Sequence, residues 1–262
     1  MKALTGIAFI KFLCFVFLLF PFTGKAQKEY MEGYTIRYIH EHERVLDVYG
    51  LYGKDIYGVQ GKFTKYFALN KKRKVFLGTG LSVTATWSER PEYLTAAPSI
   101  NRGSNSKLAF LRPMKEAYTD TIIADKSLIP FGCIFFTAQY RITPKIEAGI
   151  SIDLGGVTAS LFKDVFIKAS GIDSASVRQR AMSSFLNIFM PGSLARGNLN
   201  YHLYGRYWFH HKWSIIAGVN YLYREYSLVG KEINGGKRFR QTAITAQLGI
   251  GWAPFYHKKK PF

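Results

Sequence analysis

The sequence is poor in cysteine, in acid and in long apolar runs, and each shortage removes a class of protein. Only Cys14 and Cys133 occur. If Cys14 leaves with a cleaved leader, Cys133 has no partner in the chain, which excludes a disulfide framework and a cysteine metal site. Lipidation of Cys14 would call for small residues just before it, whereas Phe12 and Leu13 precede it. The apolar run Phe12 to Phe20 is shorter than the ~20 residues a membrane helix needs. With a mean hydropathy near zero, the chain is not a bundle of membrane helices. Acids number 17 against 36 Lys and Arg, for a net charge of +19. Lys2, Lys11 and Lys25 lie in the leader, and removing those three leaves +16 of the +19. In an exported chain that excess points to anionic lipid head groups or lipopolysaccharide phosphates rather than to nucleic acid. No Walker, Rossmann, zinc or Ser-His-Asp signature is present, and no cofactor is implied.

What is abundant is aromatic residues, 16% of the chain with 17 Tyr and 21 Phe, and glycine, 24 residues. Membrane β-strands place Tyr, Trp and Phe at the lipid–water interfaces, and narrow barrels use Gly. The N-terminus reads as a secretory signal peptide over residues 1–26: a basic start, the apolar run, Pro21, and small residues Gly24 and Ala26 before a cut at Gln27. Residues 27–43 then form a lead-in, 44–256 the barrel, and 257–262 a basic tail.

Alternation with period two carries the fold. From Phe239 to Trp252, one face holds Thr242, Ile244, Ala246, Leu248, Ile250 and Trp252, and the other Gln241, Ala243, Thr245, Gln247, Gly249 and Gly251. The segments Val75 to Trp87, Ile146 to Leu154 and Trp213 to Tyr223 split in the same way. Trp213 and Tyr223 bracket an apolar face ten residues apart, about 25 Å along a membrane normal at ~3.3 Å per residue and ~40° of tilt. The spacing predicts an antiparallel up-and-down transmembrane β-barrel of eight strands, near 44–52, 56–69, 74–87, 130–142, 145–157, 199–209, 213–227 and 239–252. Ten follow if Tyr34 to His40 pairs as well. A soluble secreted sandwich is the rival fold. Lys65 on an apolar face predicts a bulge or a shifted register there. Short connections at 70–74, 143–145 and 210–212 would face the periplasm, and the long segments 88–129 and 158–198 the cell exterior.

Arg141, Glu147, Asp153, His202, Arg206 and Asn220 fall on inward faces and are expected to form a polar network that plugs the barrel. Arg141 and Glu147 flank one turn symmetrically and should lie opposite each other. Trp87, Trp213, Tyr221, Tyr223 and Trp252 are expected to form the aromatic girdles. His40 and His42 would share a strand face, but nothing assures them a third ligand, so no metal site is expected. No nucleophile and base are placed together, so no catalytic residue is expected. In the segment 158–198, Val177, Ala181, Met182, Phe185, Leu186 and Phe189 recur at helical spacing, predicting either an amphipathic helix or a strand extension. Segment 88–129 has no strong periodicity and reads as a loop that is mobile or ordered only by a partner.

The stretch Gly197-Asn198-Leu199-Asn200-Tyr201-His202-Leu203-Tyr204-Gly205-Arg206-Tyr207-Trp208, with Lys212-Trp213-Ser214-Ile215-Ile216-Ala217-Gly218-Val219 and Gly249-Ile250-Gly251-Trp252, resembles small outer-membrane β-barrel proteins of the Bacteroidetes. The resemblance implies a barrel in the outer membrane and carries over no active residue. Barrels of that kind often end on an aromatic residue closing the last strand. This chain instead runs past Trp252 to Phe262. The expected role is non-enzymatic, structural or as an accessory to an envelope complex, with outer-membrane lipid as partner and a protein partner at the two long segments. A narrow solute-conducting barrel is the alternative, and a lipid-modifying enzyme the third reading.

Overall fold

The computed structural model describes residues 39–42, 44–69, 73–95, 120–159, 161–168, 177–190, 195–230, 232, 236–254 and 256–259. The signal-peptide reading of residues 1–26 lies outside them, as do the side chains of His40 and His42. In chain order the strands are β1 (Ile39–His42), β2 (Arg44–Gly53), β3 (Ile56–Ala68), β4 (Val75–Glu89), β5 (Glu92–Thr95), β6 (Thr121–Ala124), β7 (Lys126–Arg141), β8 (Ile146–Thr158), β9 (Phe162–Lys168), β10 (Val177–Ser183), β11 (Leu186–Ile188), β12 (Leu199–Trp208), β13 (Trp213–Leu228), β14 (Arg238–Trp252) and β15 (Tyr256–Lys259).

The architecture is all-β and antiparallel, and the strand count exceeds the expected eight. Thirteen strands make the main sheet, and β1 and β15 pair separately. The eight long strands, β2, β3, β4, β7, β8, β12, β13 and β14, pair in sequence, and β14 returns to β2. Following directly opposed residues from Trp87 through Tyr57, Tyr52, Ala246, Val219, Leu203, Ile150 and Ala138 brings the path back to β4 at Leu77, ten residues below its start. A stagger of that size tilts the strands to the ~35–45° usual for barrels.

The strand ends at Ala68 and Val75, Arg141 and Ile146, and Trp208 and Trp213 lie at one end, here the lower. The upper end is not uniformly long-looped. Lys54 and Asp55 make a tight hairpin between β2 and β3, with Asp55 at φ +57°, a conformation Asp tolerates.

That short hairpin shapes everything above it. The five short strands are not loops. β5 extends β4 over the hairpin and pairs with β14. β6 pairs with β5, β9 with β6, β10 with β9, and β10 with β13. With the upper parts of β13 and β14, the four strands β5, β6, β9 and β10 complete a six-stranded upper ring above the eight, while β11 pairs with β8. Segment 88–129 is therefore strand at both ends, and 96–119 lies outside the described residues. Of the two readings open for Val177 to Phe189, helix or strand extension, the described residues take strand: Val177–Ser183 and Leu186–Ile188 are strands. Backbone pairing with β9, β13 and β8 won over the helical spacing of its apolar residues.

Lys65 sits outward in unbroken register opposite Arg44, near the lower rim, with its ammonium over the Phe67 ring. No bulge accommodates it, because a rim lysine can reach polar surroundings along its own stem. The irregularity falls in β8 instead, where Phe135 and Ile134 oppose Asp153 and Gly155 and Leu154 is skipped. Of the segment Tyr34 to His40, the described part enters β1, which pairs with β15 outside the main sheet: His40 opposes Lys258 and Glu41 opposes His257. The lead-in thus pairs with the basic tail.

Candidate functional site

In the eight-stranded section, alternation sends apolar side chains outward and polar ones inward. Val83 and Leu248 are 67% and 65% exposed, and Val48, Val59, Leu81, Ile134, Ile244 and Ile250 share their outward face. Aromatic rings edge this belt. At its lower margin Trp213 stacks on Trp252. At its upper margin Tyr52, Tyr57 and Trp87 form a row, and Tyr201, Tyr221 and Tyr223 a cluster.

The interior is charged, buried and paired. Arg141 and Glu147 lie opposite each other on β7 and β8, with the guanidinium Nε donating to Glu147 Oε1 at 3.0 Å. Trp208 donates to the other Glu147 oxygen at 2.8 Å. Arg206 donates to Asp47 at 2.8 Å, and Tyr49 donates to the same carboxylate. One level up, Lys62 donates to Ser151 at 2.6 Å and lies over the Phe135 ring. Asp153 accepts from the backbone and side-chain nitrogens of Asn200 and from Ser82. Asn220 donates to Asn200. His202 Nδ1 meets Gln247 at 2.7 Å.

The six inward residues named from the sequence thus fall into three groups. Arg141, Glu147 and Arg206 form one with Asp47, Asp153 and Asn220 meet through Asn200, and His202 stands with Gln247. Asp47, Lys62 and Arg224 are equally buried and were missed. The alternation around Asp47, between outward Leu46 and Val48, was signal enough to place it inward. Lys62, Arg141 and Arg206 lie among Asp47, Glu147 and Asp153, a balance of buried charge, whereas Arg224 lies higher, among the neutral Ser88, Ser127 and Gln241.

Above this the interior turns apolar. Ile56, Tyr93, Ile122, Ile129, Phe131, Val165, Tyr226 and Phe239 pack into one buried cluster inside the upper ring. Tyr93 donates to Ser127, and burial, partly offset by the nearby Arg224, pushes the Tyr93 hydroxyl up to about 12.

On the outer wall, beyond the aromatic margin, Arg238 and Arg240 converge on Glu225 at 2.7 and 3.0 Å. Ser184 also donates to Glu225. Both arginines bond the Ala195 carbonyl. The cluster pins Ser184, Ala195 and Asn198 to the barrel wall, and Gly197, at φ +77°, makes the close approach to Asn187 there. Burial acts to raise the Glu225 carboxyl, but hydrogen bonds from Arg238 and the charges of Arg240 and Arg238 outweigh it and hold it below the usual carboxylate range. Among the described residues no cluster of three metal-ligating side chains occurs.

No family model matches this chain, and no curated protein does. Among solved structures it is similar to the Yersinia pestis outer membrane protein Ail in a phospholipid nanodisc. The identity there is 12% over 81% of this chain and 99% of that one, at a TM-score of 0.35. Neisserial surface protein A matches at 12% identity over 82% and 98%, at a TM-score of 0.33. The Ralstonia pickettii toluene transporter TbuX matches at 10% identity over 76% and 68%, at 0.25. Likeness this low carries no argument, and the physical reading rests on the belt and the interior.

Proposed function

We propose that the chain is an integral outer-membrane β-barrel, closed to solutes, that acts without catalysis by presenting its upper ring outside the cell. The single observation that carries this reading is the apolar outward belt between two aromatic margins, wrapped around a polar, charge-paired interior. Water would make such a surface costly at ~25 cal/mol per Å², whereas lipid makes it the favourable face. A soluble sandwich would place these side chains in a core. Closure is supported by the paired interior charges and by the apolar cluster that fills the upper ring. The resemblance to Bacteroidetes barrels fits the same location.

The test is to express the chain with its leader, fractionate the envelope, and run the outer-membrane fraction with and without boiling. Outer-membrane residence with a heat-shifted band is the expected result. A soluble, unshifted protein released by salt would overturn the membrane reading. Planar-bilayer recordings check closure: no stepwise conductance is expected, and steady channels would favour the solute-conducting alternative.

A further inference from the structure

The wall of the barrel has a seam where the upper ring joins the eight strands. β7 pairs with β8 up to Phe131 and Thr158, and β6 pairs with β9 at Ala124 and Val165. Between these points Lys126–Ile129 and Leu161–Asp164 carry no ladder to each other. The seam opens outward as a notch of about 370 Å³ lined by Trp87, Ser88, Glu89, Lys126, Ser127, Leu128 and Lys163. It lies at the upper aromatic margin, since Trp87 stacks on Tyr57 in the row that ends the belt.

Three features give the notch a chemistry. Lys126 and Lys163 line it against a single acid, Glu89, which opposes Lys126 across the β4–β7 pair. Its floor holds the buried Ser88 and Ser127, whose hydroxyls accept from the guanidinium of Arg224 at 2.6 and 2.9 Å. Arg224 is fully buried, and its other side-chain partner, Gln241, is neutral too. Among the described residues no carboxylate reaches it within salt-bridge distance. The two hydroxyls point to the interior with Arg224, so this cation, with no carboxylate beside it, adds positive potential behind the notch without touching what the notch holds. Below the notch, Trp87 and Leu128 lead onto the outward apolar strip of Val83, Leu81 and Ile134.

We infer that this notch binds the phosphorylated head group of an outer-leaflet glycolipid, with Lys126 and Lys163 on the phosphate and an acyl chain lying along Trp87, Leu128 and Val83. The inference rests on the outer-membrane reading above, because only there does a phosphate sit at the level of Trp87 with acyl chains beneath it. At 370 Å³ the notch is at the small end of ligand sites, of a size for one head group rather than a whole lipid.

The full chain, folded in neutral detergent micelles and first shown to be heat-shifted on a gel, is titrated with lipopolysaccharide and with the same material stripped of its lipid A phosphates. The comparison includes K126Q/K163Q and, as a charge-matched control on exposed sites, K168Q/K237Q. Wild type and control are expected to bind the phosphorylated form alike. Dephosphorylation and K126Q/K163Q are each expected to weaken binding by roughly tenfold or more, the scale of lost charge-assisted contacts. Inorganic phosphate at matched concentration is expected not to compete.

Equal binding by K126Q/K163Q, equal loss in the control, or indifference to the lipid phosphates would overturn the site. Full competition by inorganic phosphate would make it a free-phosphate site and overturn the lipid assignment. Absence of a heat shift in the wild type would instead bring down the barrel reading on which the site depends.

Discussion

The two storeys of this barrel are built inside out from each other. In the eight-stranded section Val48, Val83, Leu248 and Ile250 point out, while Asp47, Lys62, Glu147, Asp153 and Arg206 point in. In the upper ring Ile122, Val165, Ile167 and Phe239 point in, and Glu92, Asp164, Lys168, Arg178 and Arg180 lie outside. The chain, the hydrogen bonding and the period of two are the same in both. On the outer-membrane reading proposed above, the sign of the alternation differs because the medium outside differs. A strand facing water buries its apolar side, and a strand facing lipid exposes it. The transition lies at the row Tyr52, Tyr57 and Trp87, where amphipathic rings suit both media.

The largest effect is expected where the inverted interior is broken. Asp47→Ala leaves Arg206 buried without its nearest carboxylate, and removal of one partner of a buried pair typically costs ~3–5 kcal/mol. The measurement is urea unfolding followed by the heat-shifted band. Asp47→Met with Arg206→Met should recover most of the loss. A single variant as stable as wild type would mean that water already solvates this level and that the interior is not closed.

A matched pair of outward substitutions sharpens the contrast between storeys. Val83→Arg places charge in the belt and should cost ~2–4 kcal/mol in a lipid bilayer. Leu94→Arg, outward on the ring, should stay within ~0.5 kcal/mol, as surface changes usually do. Equal costs would mean that the two walls face one medium.

The smallest effect concerns the cluster that pins Ser184, Ala195 and Asn198. The Glu225 carboxyl is held below its ordinary value of 4.5. Its contribution is therefore present in full above that value and is lost as pH falls through the lowered one. Protease sensitivity of the segment 184–198 should rise only in strongly acidic buffer, with the heat-shifted barrel intact. Glu225→Gln should show raised sensitivity already at neutral pH and little further change on acidification. A segment equally protected at all pH values would mean that packing alone holds it.

Much of the lower storey was legible residue by residue. The long strands stand within a few residues of their expected positions, and Arg141 and Glu147 meet across the turn that the sequence placed between them. Trp213 and Trp252 face out at one margin, and Trp87 at the other. The upper storey was not legible, for a physical reason visible at β10. Its residues Val177–Ser183 are too few to show a period on their own, and their strand conformation comes from β9 and β13. Glu225 was passed over for a similar reason, since the alternation that sends Arg224 inward sends its neighbour outward, and adjacent residues on a strand cannot both be buried by alternation alone. Both are buried because Ser184 and Asn198 meet Glu225 on the outer face while Ser88 and Ser127 take Arg224 inside.

By itself the sequence determined which side chains share a face, and so the long strands and the outward placement of Trp87, Trp213 and Trp252. Those follow from a backbone that alternates its side chains at every residue. Only the tertiary structure decided that the tight turn at Lys54–Asp55 lets β5 cross to β14, that six strands close above eight, and that a seam opens beside Trp87. Those depend on which distant segments supply the missing hydrogen bonds, and no local pattern of residues encodes that choice.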